Sequence, residues 1–310
     1  MTFYELHPLV RPLFQGFINK AFEAHVNSDT WINEIKNQEW PYHSGLIDRG
    51  QTSFSKEING LSVRDQVIIY CYYYMQMHAV SCFHVYRQAL VKHRLSFLAN
   101  LVFVDFGCGP ITSAIAMAWY HLRFSADKPA AAKHGLRFHY IGIDRSGGMI
   151  DFAPEVWQAA GRLFHADSTC DIMKRNAATA AVPEKIEEYR RGRKKLTVCL
   201  NCSYYFGSKT LNVEALIKFI GDLLTTLKND RVCLVFQNAD NPYKNEKWEK
   251  FKAGIEQHLV PCYADECEGI IYEDVTGKRE QRGGNHRIKL RHAVLLNHVW
   301  RDEREKTKSG

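Results

Sequence analysis

Leu101–Ala118 reads LVFVDFGCGPITSAIAMA, and the choice of fold rests on it. Leu101, Val102, Phe103 and Val104 make a short, wholly apolar run, the pattern of a strand buried on both faces. Asp105 ends the run, and Gly107-Cys108-Gly109-Pro110 forces a tight turn. Thr112 or Ser113 is placed to cap a helix whose body, Ala114 to Ala118, is small and apolar. Strand, glycine turn and helix in that order open a nucleotide-binding α/β unit. Glycines let the backbone approach a ligand, and a carboxylate at the strand end binds an ammonium group or a hydroxyl.

A second anchor follows in Phe138–Ile150, FHYIGIDRSGGMI. Tyr140 to Ile143 form another buried strand, ending in Asp144, and Ser146 is placed to cap the next helix. An acid at the end of the second strand of a Rossmann-like fold accepts hydrogen bonds from ribose hydroxyls. A dinucleotide fingerprint would need G-x-G-x-x-G, and Thr112 stands where its last glycine belongs. The first anchor resembles instead motif I of the class I S-adenosylmethionine (SAM)-dependent methyltransferases, D-x-G-x-G-x-G. Asp105, Gly107 and Gly109 match it, and Ile111 occupies the position where a third glycine is common. The second anchor, I-G-I-D-x-S-x-x-M, resembles motif II of that class. Asp144 lies 35 residues after Gly109, and the excess is accounted for by an Ala-rich polar insert around Ser125–Gly135, read as a surface loop.

The resemblance spans roughly residues 100–300 and carries definite expectations. It implies an α/β fold, a Rossmann-like seven-stranded methyltransferase sheet with helices on both faces, and S-adenosyl-L-methionine as cofactor. Asp105, Gly107 and Gly109 would hold the methionine end. Asp144, with Arg145 beside it, would hold the ribose, and Met149 would lie against the adenine. Gly161–Ala166 reads as a short third strand, followed by Asp167-Ser168. Asp167 then stands where the family accepts a hydrogen bond from the adenine amino group, with Asp171 as the choice if the turn is shifted.

Leu196–Phe206, LTVCLNCSYYF, reads as the fourth strand and its exit. Ligands of open parallel sheets bind beyond the carboxyl ends of the strands, so Asn201, Ser203, Tyr204 and Tyr205 should face the transferred group. Asn201 would border both cofactor and acceptor, with Tyr204 and Tyr205 positioning the latter. Family members that methylate amino groups of bases often carry N/D-P-P-Y/F here; Asn201-Cys202-Ser203-Tyr204 keeps the amide and the aromatic but lacks proline. Leu211–Leu227 has an apolar helical stripe. Arg231–Gln237 is a fifth buried strand, and Asn241–His258 a further helix. Gly269–Glu273 and Ile288–Trp300 give the last two strands, joined by a hairpin-type GKREQRGGN turn resembling the family's antiparallel edge.

Residues 1–96 read as an all-helical N-terminal domain, a substrate-side cap before a SAM-binding domain at 97–302 and a polar tail at 303–310. Leu9, Leu13, Phe17, Ile18 and Phe22 recur at helical spacing. Ser62 caps a long helix from about Val63 to Leu95 whose middle, Ile68–Val85, is apolar or aromatic on nearly every face. Its Tyr70, Tyr72, Tyr73, Tyr74, His78 and His84 either pack in the core or wall the substrate site. A helical domain before such a core is similar in layout to the aminoglycoside-resistance ribosomal RNA methyltransferases.

The chain of 310 residues is 45% hydrophobic, enough for a full core, and carries a formal charge of +7. Tyr189–Lys195, YRRGRKK, holds five bases in seven residues, and Lys278–His292 holds six Lys/Arg and two His against Glu280. Such clusters neutralise phosphates, so the expected acceptor is a nucleic acid, RNA before DNA, with RNA methylation as the activity. A small-molecule acceptor, a non-catalytic scaffold and a nicotinamide oxidoreductase are the competing readings. Nine scattered cysteines fit free thiols in a reducing compartment. Cys199 and Cys202 straddle a strand end and point to opposite faces, and no metal site is expected. The N-terminus lacks a signal-peptide layout, and no apolar run approaches the ~18 residues of a spanning helix, so the expected location is cytoplasmic, away from membranes.

Overall fold

The apolar runs become strands of one mixed sheet in the computed structural model, which describes residues 1–28, 31, 33–36, 38, 40–93, 101–124, 136–263, 265–276 and 285–308. Among these residues there are nine strands, β1 (Thr2–Tyr4), β2 (Leu101–Phe106), β3 (His139–Asp144), β4 (Thr169–Lys174), β5 (Thr197–Ser203), β6 (Arg231–Ala239), β7 (Val260–Pro261), β8 (Glu266–Glu273) and β9 (Asn285–Leu296). Five run parallel in the order β4-β3-β2-β5-β6, and the order reverses between β2 and β5. β9 then lies antiparallel to both β6 and β8, giving the expected antiparallel edge.

The expected count of seven strands is exceeded by two. β7 is a two-residue addition to β9, and β1 pairs parallel with β8 through Thr2–Ile270, Phe3–Ile271 and Tyr4–Tyr272. The N-terminal region is therefore not all-helical: its first residues cover a sheet edge that would otherwise present unpaired N–H and C=O groups. The third strand also falls later than expected. Gly161–Leu163 form a single tight helical turn, and the strand is Thr169–Lys174, TCDIMK. As an edge strand it is half exposed, so it lacks the apolar run that marks its buried neighbours.

The helices are α1 (Asn19–Val26), α2 (Asn33–Lys36), α3 (Trp40–Leu46), α4 (Val63–Tyr70), α5 (Gln76–His93), α6 (Thr112–Phe124), α7 (Gly147–Ala159), α8 (Arg175–Arg190), α9 (Val213–Thr226), α10 (Pro242–Ile255) and α11 (His298–Lys308). Residues 303–308 thus continue a helix rather than forming a tail. α8, α9 and α10 pack on one face of the sheet, where Val104, Leu200, Leu234, Ile220 and Trp248 share a core. The other face is covered by α5, α6, α7 and the N-terminal helices, with Phe14, Ile69, Tyr86, Phe103 and Tyr140 in one continuous cluster. The insert at 125–135 and the turn at 277–284 lie outside the described residues.

The long helix starts where its sequence says. Ser62 accepts from the Asp65 amide while Asp65 accepts from the Ser62 amide, a reciprocal cap. Between α4 and α5 the helix widens into a π-helical turn at Cys71–Met75. Ser146 caps α7 by accepting from the Met149 amide. Cys199 and Cys202 fall into opposite core clusters, and all nine cysteines are free.

The glycine turn explains the departure at Ile111. Gly107 and Gly109 have φ of 70° and 50°, and Ile111 has φ of 58°, a region costly for a β-branched residue. Its side chain is fully buried beneath α6, and that burial offsets the strain. Glycine there would relieve about 1–2 kcal/mol of backbone strain but lose about 3–4 kcal/mol of packing. Ile111→Gly is therefore expected to lower unfolding free energy by roughly 2 kcal/mol in urea titrations; a more stable variant would contradict this balance.

Candidate functional site

A cavity of about 410 Å³ opens at the carboxyl ends of the parallel strands, within the size range of small-molecule sites. Gly107, Cys108 and Gly109 line it after β2, Asp144, Arg145 and Ser146 after β3, and Ser203, Tyr204 and Tyr205 at the end of β5. Met149 of α7 and Thr112 and Ser113 of α6 complete the sheet side. Of the residues expected to bind cofactor, Gly107, Gly109, Asp144, Arg145 and Met149 are brought together here, and Tyr204 and Tyr205 line the same cavity.

Asp144 is the acid of this site. Its Oδ2 accepts from the Gly109 amide at 2.9 Å and its Oδ1 from the Ser146 amide at 2.9 Å. The glycine turn and the α7 N-terminus are thus fixed to one carboxylate, which keeps lone pairs for a ligand. Burial raises its pKa, and the amides of Ser146, Gly109 and Arg145 pull the other way. A Cβ built on Gly109 would meet nothing within 4 Å, so the turn leaves open space where a ligand can approach the backbone. A Cβ on Gly107 would stand 2.8 Å from the Tyr205 ring.

Asp105 and Asn201, expected to touch cofactor and acceptor, do not line the cavity. Both are buried beneath it, at 1% and 0% exposure. Asn201 Nδ2 donates to Asp105 Oδ1 at 2.7 Å and to Ser113 Oγ at 3.0 Å, while its Oδ1 accepts from Tyr86 at 3.1 Å and Ser203 at 3.0 Å. The Tyr140 hydroxyl donates to Asp105 Oδ2 at 2.8 Å. Strand alternation turns both side chains toward α5 and α6 rather than upward.

Asp167 and Ser168 also lie elsewhere. They precede β4, at its amino end, whereas the cavity is at the carboxyl ends. Asp167 is exposed and paired with Arg137 at 3.2 Å, and the Ser168 hydroxyl donates to the Leu136 carbonyl at 2.8 Å. Asp171 is mid-strand, 3.3 Å from Lys185. Beyond the end of β4 the cavity-lining residue is Arg175, a base where an acid was expected.

The cavity's other wall comes from the N-terminal layer. Tyr70, Tyr74, Met77, His78 and Cys82 line it, so the long helix divides its aromatics. Tyr72 instead stacks on Phe22 at 3.8 Å, and Tyr73 bonds to His43. His78 stacks on Tyr204 with centroids 4.0 Å apart, and its Nδ1 is 2.9 Å from the Tyr70 hydroxyl. Tyr204 sits at φ 56° and its hydroxyl is 3.0 Å from Ser81 Oγ. Cys82 is no thiolate: burial pushes its pKa up to about 12, and Gln237 Nε2 donates to its sulfur at 2.9 Å.

The N-terminal layer adds a strained loop that the sequence marks only weakly. Arg49 to Phe54 line the cavity, and Asp48, Arg49, Gly50 and Phe54 all have positive φ. The Phe54 carbonyl ties this strained loop to α7, accepting from the Ser146 hydroxyl at 3.1 Å and the Gly148 amide at 3.2 Å. The only sequence sign is the turn-prone Asp48-Arg49-Gly50. Asn238, Ala239 and Lys244 join from β6 and α10.

The basic run Tyr189–Lys195 precedes β5 and so lies at the opposite end of the sheet from the cavity. Arg190 pairs with Asp230 at 2.5 Å and Glu187 at 2.9 Å, Lys195 pairs with Glu303, and Arg193 lies 3.9 Å over the Tyr189 ring. Within the second basic stretch, Arg291 pairs with Asp265 at 2.6 Å. No helix among the described residues is long and apolar enough to cross a membrane.

No protein-family profile matches the chain, and no curated protein matches it in sequence. Among solved structures it is similar to a SAM-dependent methyltransferase from Leishmania major, at 11% identity and TM-score 0.38, over 93% of this chain and 86% of that one. One from Methanosarcina mazei gives 11% and 0.36, over 65% and 94%. A geranyl diphosphate methyltransferase solved with SAM gives 10% and 0.34, over 75% and 89%.

Beneath the cavity, desolvation pushes the Asp105 carboxyl up to about 7, against the hydrogen bonds from Asn201, Tyr140 and Ser113. Its folded pKa exceeds the unfolded value near 4, so its contribution is full below about pH 4 and is lost as pH rises through about 7. Replacing it with the uncharged isostere should remove that slope. Between pH 5 and 7 the stability of Asp105→Asn should gain about 2 kcal/mol relative to the parent in urea titrations. Parallel pH profiles would show that the carboxyl does not titrate there.

Proposed function

We propose that this protein is a SAM-dependent methyltransferase whose acceptor is a small molecule held inside the cavity. The observation that carries the reading is Asp144, a cavity-lining carboxylate at the tip of β3, hydrogen-bonded to the glycine turn after β2. That placement beside the reversal in strand order suits a ribose diol. The open space above Gly109 fits the group: the turn would hold the methionine end, and Met149 would flank the adenine. Asp105 supports the turn from below rather than touching ligand.

The chemistry supplied by the cofactor, when bound, is an electrophilic sulfonium methyl. The protein then has only to hold a nucleophile in line and exclude water. Tyr70, Tyr74, His78 and Tyr204 form an aromatic wall for a flat or apolar acceptor. His78, oriented by Tyr70 and Tyr204, is the group placed to take a proton from it. A nucleic-acid acceptor has less support, because the basic run lies at the far end of the sheet and two of its bases are engaged in ion pairs.

Asp144→Ala should lose about 1.5–3 kcal/mol of SAM binding, ten- to a hundredfold in affinity by calorimetry, while the fold survives. Gly109→Val should block the same space. Unchanged binding in both variants would refute the site. With labelled SAM, methyl transfer should appear in a small-metabolite fraction and not in total RNA, and acceptor KM should change less than about threefold from 50 to 200 mM salt. An acceptor held by phosphate contacts would instead lose about a thousandfold or more, and would return the reading to nucleic acid.

A further inference from the structure

Away from the cavity, three side chains from three separate elements converge between α5 and the antiparallel edge of the sheet. His84 of α5, Glu268 of β8 and His292 of β9 place one ligand atom each within 4.8 Å of one another. His84 Nε2 lies 3.1 Å from Glu268 Oε2, close to the roughly 3.3 Å edge of a tetrahedron of ligands about 2.0 Å from a zinc ion. Both histidines are at 0% exposure, and their rings meet at 80° with centroids 5.6 Å apart. A fourth group is in reach, since Glu266 Oε2 is 3.9 Å from His292 Nε2.

We propose that His84, Glu268 and His292 bind one divalent transition-metal ion of the zinc class. Two imidazoles and a carboxylate form a donor set that zinc uses. The outer contacts suit it as well. The Tyr4 hydroxyl is hydrogen-bonded to His84 Nδ1 at 2.7 Å, and the Tyr263 hydroxyl to His292 Nδ1 at 3.1 Å. When each hydroxyl accepts from Nδ1–H, both Nε2 lone pairs are turned toward the Glu268 carboxylate, and a cation among the three converts mutual repulsion into attraction. Glu268 is a quarter exposed, which provides an entry path.

None of the three ligands lines the cavity, so the ion acts as a staple and not in methyl transfer. It would fasten β1, α5, β8 and β9 together, joining the N-terminal layer to the sheet edge. The ligands are at positions 84, 268 and 292, so no short spacing motif could have announced the site.

The test uses the full chain, stripped with a chelator, dialysed against zinc and then against metal-free buffer. Metal content by mass spectrometry should be about one per chain, with a melting temperature several degrees above the stripped protein. Cobalt in place of zinc should give the visible absorption of a low-coordinate site. His84→Ala and His292→Ala should lose the metal. Glu268→Gln, a milder change at a partly exposed position, should keep its circular-dichroism spectrum and bind zinc at least about tenfold more weakly. A content below about 0.1 per chain with no thermal shift would reduce the cluster to a buried ion pair and overturn the proposal. Full metal retention by Glu268→Gln and the histidine variants would place the ion elsewhere and overturn it equally.

Discussion

The hydrogen bond from Asn201 to Asp105, 2.7 Å across β5 and β2, joins the two strands at which the order of the sheet reverses. Around it Tyr140 of β3, Tyr86 of α5, Ser113 of α6 and Ser203 of β5 complete a buried polar network. Each of these groups is costly to leave unsatisfied at such depth, so the network favours one register of three strands and one seating of two helices. The cavity floor lies directly above it. Asp105 holds a proton more readily than an ordinary carboxyl because this network is dry.

Much of the fold was legible because its central strands are buried on both faces. β2, β3, β5 and β6 announce themselves as apolar runs, and Ser62, Ser146, Asn212 and Asn241 cap helices near the expected positions. β4 is not legible for the converse reason: TCDIMK is an edge strand, and its half-exposed residues carry no such signal. β1 is three residues long, too short for any periodicity, and only its pairing with β8 makes it a strand.

The site was legible in part. A glycine turn and a strand-end acid are local features, so Gly107, Gly109 and Asp144 could be found from their neighbours. Whether an acid faces a cavity or a core depends on strand alternation and on what packs above it. Asp105 and Asn201, read from the sequence as ligand contacts, are for that reason buried in the interior. The loop at Arg49–Phe54 and the aromatic wall running from Tyr70 to His78 reach the cavity only through tertiary packing. In the long helix the π-helical turn lies between Tyr70 and His78, a backbone feature that composition does not reveal.

The proposed SAM site is the cavity above Asp105 and Asn201. A crystal structure with S-adenosylhomocysteine tests it most directly. Density for one molecule is expected in the cavity, with both ribose hydroxyls on the Asp144 carboxylate and the amino-acid end over the Gly107–Gly109 turn. An empty cavity at saturating ligand, or density with the ribose away from Asp144, would contradict it.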